Sequence, residues 1–179
     1  MPGHTSCSSD CQSEITTPVE ELLDKAAALC ARNGSRLTPQ RREILSLILS
    51  AGKPVGAYDL LEQIKTPERK PAPPTVYRAL EFLLEHGLIH RIERLSAFVP
   101  CVHLLHAHHT DDCSQKYKDD TPHLHTAQFL ICRECKSTSE ISTPHILEAI
   151  KQSCQPRGFI AQNAFIEIEG LCSGCAEKK

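Results

Sequence analysis

Apolar residues recur at helical spacing through the first half of the chain. Val19, Leu22, Leu23, Ala26, Ala27 and Cys30 form one stripe of an amphipathic helix. Thr17-Pro18-Val19-Glu20 reads as a capping box with proline at the first helical position, and Asn33-Gly34 as the stop. Thr38-Pro39 opens a second helix through Ile44, Leu45, Leu47, Ile48 and Leu49 to Gly52. The pattern predicts a short third helix from Ala57 to Ile64. Residues 66–74 carry four prolines and form a loop. A fourth helix starts at Pro73 or Pro74, runs through Leu80, Leu83 and Leu84, and stops at Gly87. Two short strands follow, Leu88–Arg94 and Ala97–Val102, as a hairpin that must lean on the helices. Small helices ending in a hairpin are the order of a winged helix-turn-helix.

Residues 102–122 lose this periodicity and turn to His, Asp, Lys and Thr, a connection longer than ordinary loops. Beyond it, Thr126–Cys132 and Ser137–Ser142 read as strands. Thr143-Pro144 starts a helix to about Cys154, ended by Pro156-Arg157-Gly158. In Ala164–Glu169, Ile166 and Ile168 alternate with Glu167 and Glu169, a half-buried strand. The expected fold class is α+β: an N-terminal winged helix-turn-helix, then a small α/β unit. The boundaries read as a tail at 1–16, the winged helix at 17–102, a His-rich hinge loop at 103–122 and the α/β unit at 123–179. A unit of that size has little core of its own and gains from a metal staple or a second subunit.

Composition narrows the function. Of 179 residues 40% are hydrophobic and only 4% aromatic, with no tryptophan, which argues against wholesale disorder and against a stacking platform for single strands. No apolar run can span a bilayer, and the N-terminal residues lack the pattern of a signal peptide, so the expected location is the cytoplasm. The formal charge is −2, but it is unevenly placed: residues 32–94 carry eleven basic and seven acidic groups. A local basic face is what phosphate binding requires. No glycine-rich phosphate loop, HExxH or nucleophile elbow is present, and the chain reads as a non-enzyme.

Ten cysteines and ten histidines bring the chemistry. In a reducing compartment such residues point to zinc before disulfides. Cys132-x-x-Cys135 and Cys172-x-x-Cys175 supply two thiolate knuckles, and four thiolates close a tetrahedral, structural site. His90 and Cys101 lie in the two hairpin segments, directly opposite one another if the turn is centred between Leu95 and Ser96. His123 and His125 share a strand face, and Glu140 follows the first knuckle; with the hairpin pair they can close a second site joining the two halves. His103, His106, His108, His109 and Cys113 remain as a solvated or weakly metal-binding surplus.

Arg36-Leu37-Thr38-Pro39-Gln40-Arg41, Ala57-Tyr58-Asp59-Leu60-Leu61, Pro74-Thr75-Val76-Tyr77-Arg78-Ala79-Leu80 and the paired knuckles together resemble the Fur family of metalloregulators over about residues 20–176, most closely its zinc uptake regulator branch. The resemblance implies a zinc-responsive transcriptional repressor: a homodimer whose zinc-loaded form binds AT-rich palindromic operator DNA, one or two dimers per operator, upstream of zinc-uptake genes. It implies two zinc ions per protomer. Cys132, Cys135, Cys172 and Cys175 match the structural site, and His90, Cys101, His125 and Glu140 the regulatory one. Tyr58 and Arg78 match base-contacting positions, Arg36, Arg41, Thr75 and Tyr77 phosphate-contacting ones, and Glu62 and Lys65 positions of contact between dimers on DNA. The chain departs from the branch in its long 102–124 loop, which adds His103, Cys113 and His123 as rival donors. An iron- or peroxide-responsive regulator of the same family is the alternative within the class, and a zinc buffer or metallochaperone the alternative outside it.

Overall fold

The computed structural model describes residues 18–101, 125–141, 143–161 and 163–178, without the side chains of 125, 126 and 163. The tail at 1–16 with Thr17, and the loop carrying His103, Cys113 and His123, lie outside the described residues.

The helices start where their local chemistry directs. α1 (Val19–Arg32) begins one residue later than its sequence suggested, with Pro18 as N-cap and no side-chain cap. α2 (Pro39–Ser50) opens on Thr38, whose hydroxyl accepts the Arg41 N–H at 3.5 Å, with Pro39 in the first turn. β1 (Val55–Gly56) is a two-residue strand with no apolar pattern to announce it. α3 (Ala57–Gln63) follows, its N-cap amide at Gly56 held by the Asp59 carboxylate at 3.3 Å. α4 (Pro73–Glu85) begins at the proline pair and ends before Gly87, whose φ of +63° suits a residue lacking Cβ. Leu22, Leu23, Ile44, Leu45, Ile48, Leu60, Leu80 and Leu83 pack into one core, each at most 1% exposed. Each such side chain contributes about 1.5–3 kcal/mol. Arg42 ties α1 to α2 through Glu20 at 2.6 Å and Asp24 at 2.9 Å.

β2 (Ile89–Ile92) and β3 (Ala97–Pro100) form the hairpin, with β1 on the other edge of β3. The register departs from the sequence expectation. His90 pairs with Val99, not Cys101, and the Cys101 N–H bonds to the Leu88 carbonyl at 3.1 Å. The cause is the connection: a 3-10 turn over Glu93–Leu95, then Ser96 in the left-handed region at φ 48°, so the turn is centred one residue earlier. The shift displaces Cys101 along the strand by two residues relative to His90's partner, and period 2 keeps both on one face.

The second sheet has order β5-β4-β6, from β4 (His125–Cys132), β5 (Thr138–Ile141) and β6 (Asn163–Gly170). β5 is antiparallel to β4 and β6 parallel to it, and α5 (Pro144–Cys154) provides the crossover that a parallel pair requires. A short α6 (Ser173–Ala176) closes the described chain. The hairpin joins the two sheets because its faces differ. Ile89 and Phe98 belong to the helical core, while Ile92 and Val99 pack with Ala127, Phe129 and Ile131 of β4. Among the described residues no helix is long and apolar enough to cross a membrane. The architecture is the α+β arrangement expected, helices and wing followed by a small sheet unit.

Candidate metal centres and DNA-facing surface

Parallel pairing of β4 and β6 resolves the long interval between the knuckles. Cys132 stands opposite Gly170 in the register, so both knuckles leave the same end of the sheet. The Arg133 N–H bonds to the Gly170 carbonyl at 2.9 Å, and Lys136, at φ 59°, turns the first knuckle back so that its N–H reaches the Cys132 carbonyl at 2.9 Å. Cys172 is the N-cap of α6, and Cys175 lies on that helix. The four sulfurs all lie within 4.8 Å of one another, with Cys135 Sγ and Cys172 Sγ 3.7 Å apart. A tetrahedron of thiolates at about 2.3 Å from a zinc ion has edges of about 3.8 Å. The donor set fits that ion.

Its electrostatics fit as well. The Cys172 N–H donates to Cys132 Sγ at 3.4 Å, and this bond, with further backbone donors, lowers the Cys132 thiol to about 6. Ser137 Oγ, 3.1 Å from Cys135 Sγ, lowers that thiol too. Cys175 is pushed up to about 12, first by its hydrogen bond with Cys172 and then by burial. Thiolates this close oppose one another's ionisation, and a divalent cation among them removes the opposition.

The second cluster draws one donor from each of three strand regions. His90 on β2, Cys101 just after β3 and Glu140 on β5 offer ligand atoms all within 4.8 Å of one another, and His90 Nε2 lies 3.5 Å from Glu140 Oε1. The Phe129 ring meets the His90 ring edge to face at 5.7 Å and walls the site. A nitrogen, a sulfur and an oxygen make a mixed set of three donors that bridges the hairpin and the second sheet. His125 begins β4 beside Asn163 of β6; its side chain is not among those described.

Among the candidate DNA-contacting residues, Tyr58 at the start of α3 is 69% exposed and Tyr77 on α4 47% exposed, which sets aside core packing as their role. Arg78 is also exposed on α4, and Thr75 half-buried, while Val76, Ala79 and Leu80 turn inward. Arg36 is exposed before α2. Arg41 is more constrained: its guanidinium lies 3.5 Å over the Phe82 ring and donates to the Arg36 carbonyl at 2.7 Å. Glu62 and Lys65 pair with each other within the chain.

Sequence reasoning missed a contact between the halves. Glu167 on β6 accepts the backbone N–H groups of Glu93 and Arg94, at 2.6 and 3.2 Å. The only sequence signal is the Ile/Glu alternation, which gives the glutamates' face but not its partner.

Comparison with known proteins follows the same lines. The sequence model of the ferric uptake regulator family matches residues 32–99. The zinc uptake regulation protein of Escherichia coli (strain K12) is 36% identical over 161 residues, covering 90% of this chain and 85% of that protein. A solved zinc uptake regulator complexed with zinc and DNA superposes with TM-score 0.75 at 36% identity, over 91% of this chain and 98% of that one. The holo crystal structure of XcZur gives TM-score 0.69 at 36% identity, over 88% and 98%. With the fold, the paired knuckles and these similarities in agreement, the chain belongs to the ferric uptake regulator family.

Proposed function

We propose that the protein is a cytoplasmic, zinc-responsive transcriptional repressor, not a catalyst, whose zinc-loaded homodimer binds AT-rich palindromic operators of zinc-uptake genes. The observation that carries this reading is the donor set His90, Cys101 and Glu140, which spans the wing and the second sheet. Similarity to a zinc uptake regulator complexed with zinc and DNA supports it.

Two zinc ions per protomer are assigned, one to Cys132, Cys135, Cys172 and Cys175 and one to His90, Cys101, Glu140 and His125. When bound, the second ion supplies a cationic crosslink between hairpin and sheet. The sulfur of Cys101 favours zinc over harder iron(II) or manganese(II). His90 and Cys101 hold the hairpin, and Glu140 holds it to β5. The hairpin's other face packs in the same core as Val76 and Leu80 of α4, so fixing the hairpin fixes α4. Arg78 then reaches a guanine edge in the major groove, Tyr58 contacts bases, and Arg36, Arg41, Thr75 and Tyr77 hold phosphates.

A second copy completes the arrangement. Leu130 and Ile168 share the sheet face turned away from the hairpin and are each more than 40% exposed. α5 has no fully buried residue, and Phe159 and Ile160 are 65% and 74% exposed. A homodimer through residues 123–179 covers these surfaces and sets two copies of α4 about one DNA turn apart. The 17–102 region then acts as the DNA-binding domain, 103–122 as the hinge loop, and Glu62 and Lys65 serve contacts between paired dimers.

The test is Cys101→Ser. It keeps fold and dimer, binds one zinc per protomer instead of two by elemental analysis, and loses zinc-dependent operator binding. Normal operator affinity in that variant contradicts the assignment.

A further inference from the structure

Beside the apolar contacts of Ile92 and Val99 with β4, the hairpin meets the second sheet at two polar places, and only one of them is the cluster of candidate metal donors. Glu140, Phe129 and Glu167 form one row across β5, β4 and β6, paired through the register. Glu140 ends the row at the metal donors. Glu167 ends it at the tip of the hairpin, where Oε1 accepts the Glu93 N–H at 2.6 Å and Oε2 the Arg94 N–H at 3.2 Å. One carboxylate thereby caps both leading amides of the 3-10 turn from a strand more than 70 residues away in sequence. Arg94 adds a second tie, its guanidinium on Glu169 at 2.8 and 3.0 Å. Arg91 is occupied by Glu93 at 3.0 Å, so the tip directs little unbalanced positive charge outward.

A rod fixed at one point can still swing; fixed at two points it has a direction. His90 and Glu93 are three residues apart, about 10 Å along an extended strand. From this geometry we infer that Glu167 is a positioning residue, a latch on the wing tip that holds the hairpin in the orientation the His90, Cys101 and Glu140 donors require. The inference rests on the metal-responsive reading above and extends it. The latch preorganises the metal site, and through linkage it preorganises α4 for DNA. The neighbouring Glu169 removes the Arg94 guanidinium from the groups free to meet phosphate.

The experiment uses the full chain loaded with one zinc per protomer in the four-cysteine site. Cobalt(II) is titrated into the second site and followed by its thiolate charge-transfer absorption. Exchange of the Glu93 and Arg94 amides is read in parallel by hydrogen–deuterium exchange. Glu167→Ala is expected to lower cobalt affinity about tenfold, the loss of one charge-assisted two-point hydrogen bond, and to speed exchange at both amides. Glu167→Gln, which keeps one accepting oxygen and the same shape, falls between the two and serves should the alanine variant fail to fold. Cobalt affinity within twofold of the unaltered chain in both variants overturns the latch while leaving the metal-responsive reading intact. An unaltered chain with no thiolate–cobalt absorption beyond the four-cysteine site overturns that reading and the latch with it.

Discussion

Cys132 and Cys175 carry opposite halves of one charge problem, the first lowered to about 6 by backbone donors, the second raised to about 12 by its neighbours. The Cys132 thiol gives up its proton ahead of Cys175, whose proton leaves as the ion is captured. Metal binding therefore releases protons, and proton competition strengthens as pH falls through the Cys132 value. The dissociation constant for zinc at this site, measured at buffered free zinc at each pH, is expected to rise as pH drops from about 7.5 to 5.5; a flat profile contradicts the charge account. Cys172→Ser removes one ligand but keeps the backbone N–H that donates to Cys132, and serine is itself a good N-cap, so the loss it causes belongs to the ion. Its melting temperature is expected to fall by roughly 10 °C or more, a loss of about 3 kcal/mol, and an unchanged melt argues against a structural site. The four-cysteine site was legible because CxxC spacing is local. The Glu167 latch was not, because Ile166-Glu167-Ile168-Glu169 alternates as a solvent-facing strand does. The glutamate face in fact turns to the hairpin, and Ile168 faces away from it, 43% exposed in the single chain.

Elements announced by punctuation were readable. Thr38-Pro39, the proline pair that opens α4 and Gly87 mark ends that the structure keeps, within a residue or two. Gly87 has open space around a would-be Cβ, so its constraint is the φ of +63° alone. Gly87→Ala is expected to cost about 1 kcal/mol, a few degrees in a thermal melt, with metal content unchanged. The hairpin register was not readable. A serine in the left-handed region carries no sequence mark that glycine would, and the turn formed one residue earlier than the Leu95-Ser96 centre. The donor pair survived because the parity of a strand is preserved. On α4, Arg78 projects from the exposed face while its neighbours Val76 and Ala79 are buried. Arg78→Ala is expected to weaken the preferred duplex by about 1–3 kcal/mol and a random duplex far less. Equal losses on both reassign Arg78 to phosphate.

At the scale of the whole molecule, the hairpin shares a core with α4, and the proposed function links the parts in series: the proposed metal donors and Glu167 would orient the hairpin, the hairpin α4, and a second copy the spacing of the two helices. Coupling of this kind is reciprocal, so operator DNA tightens metal binding by the factor by which metal tightens DNA binding. The measurement closest to that claim is fluorescence anisotropy of an AT-rich palindromic duplex, titrated with protein at buffered free zinc, iron(II) or manganese(II), in salt high enough to suppress non-specific contacts. The account predicts tight binding with zinc alone. Activation by iron or manganese, or equal binding with and without metal, contradicts it.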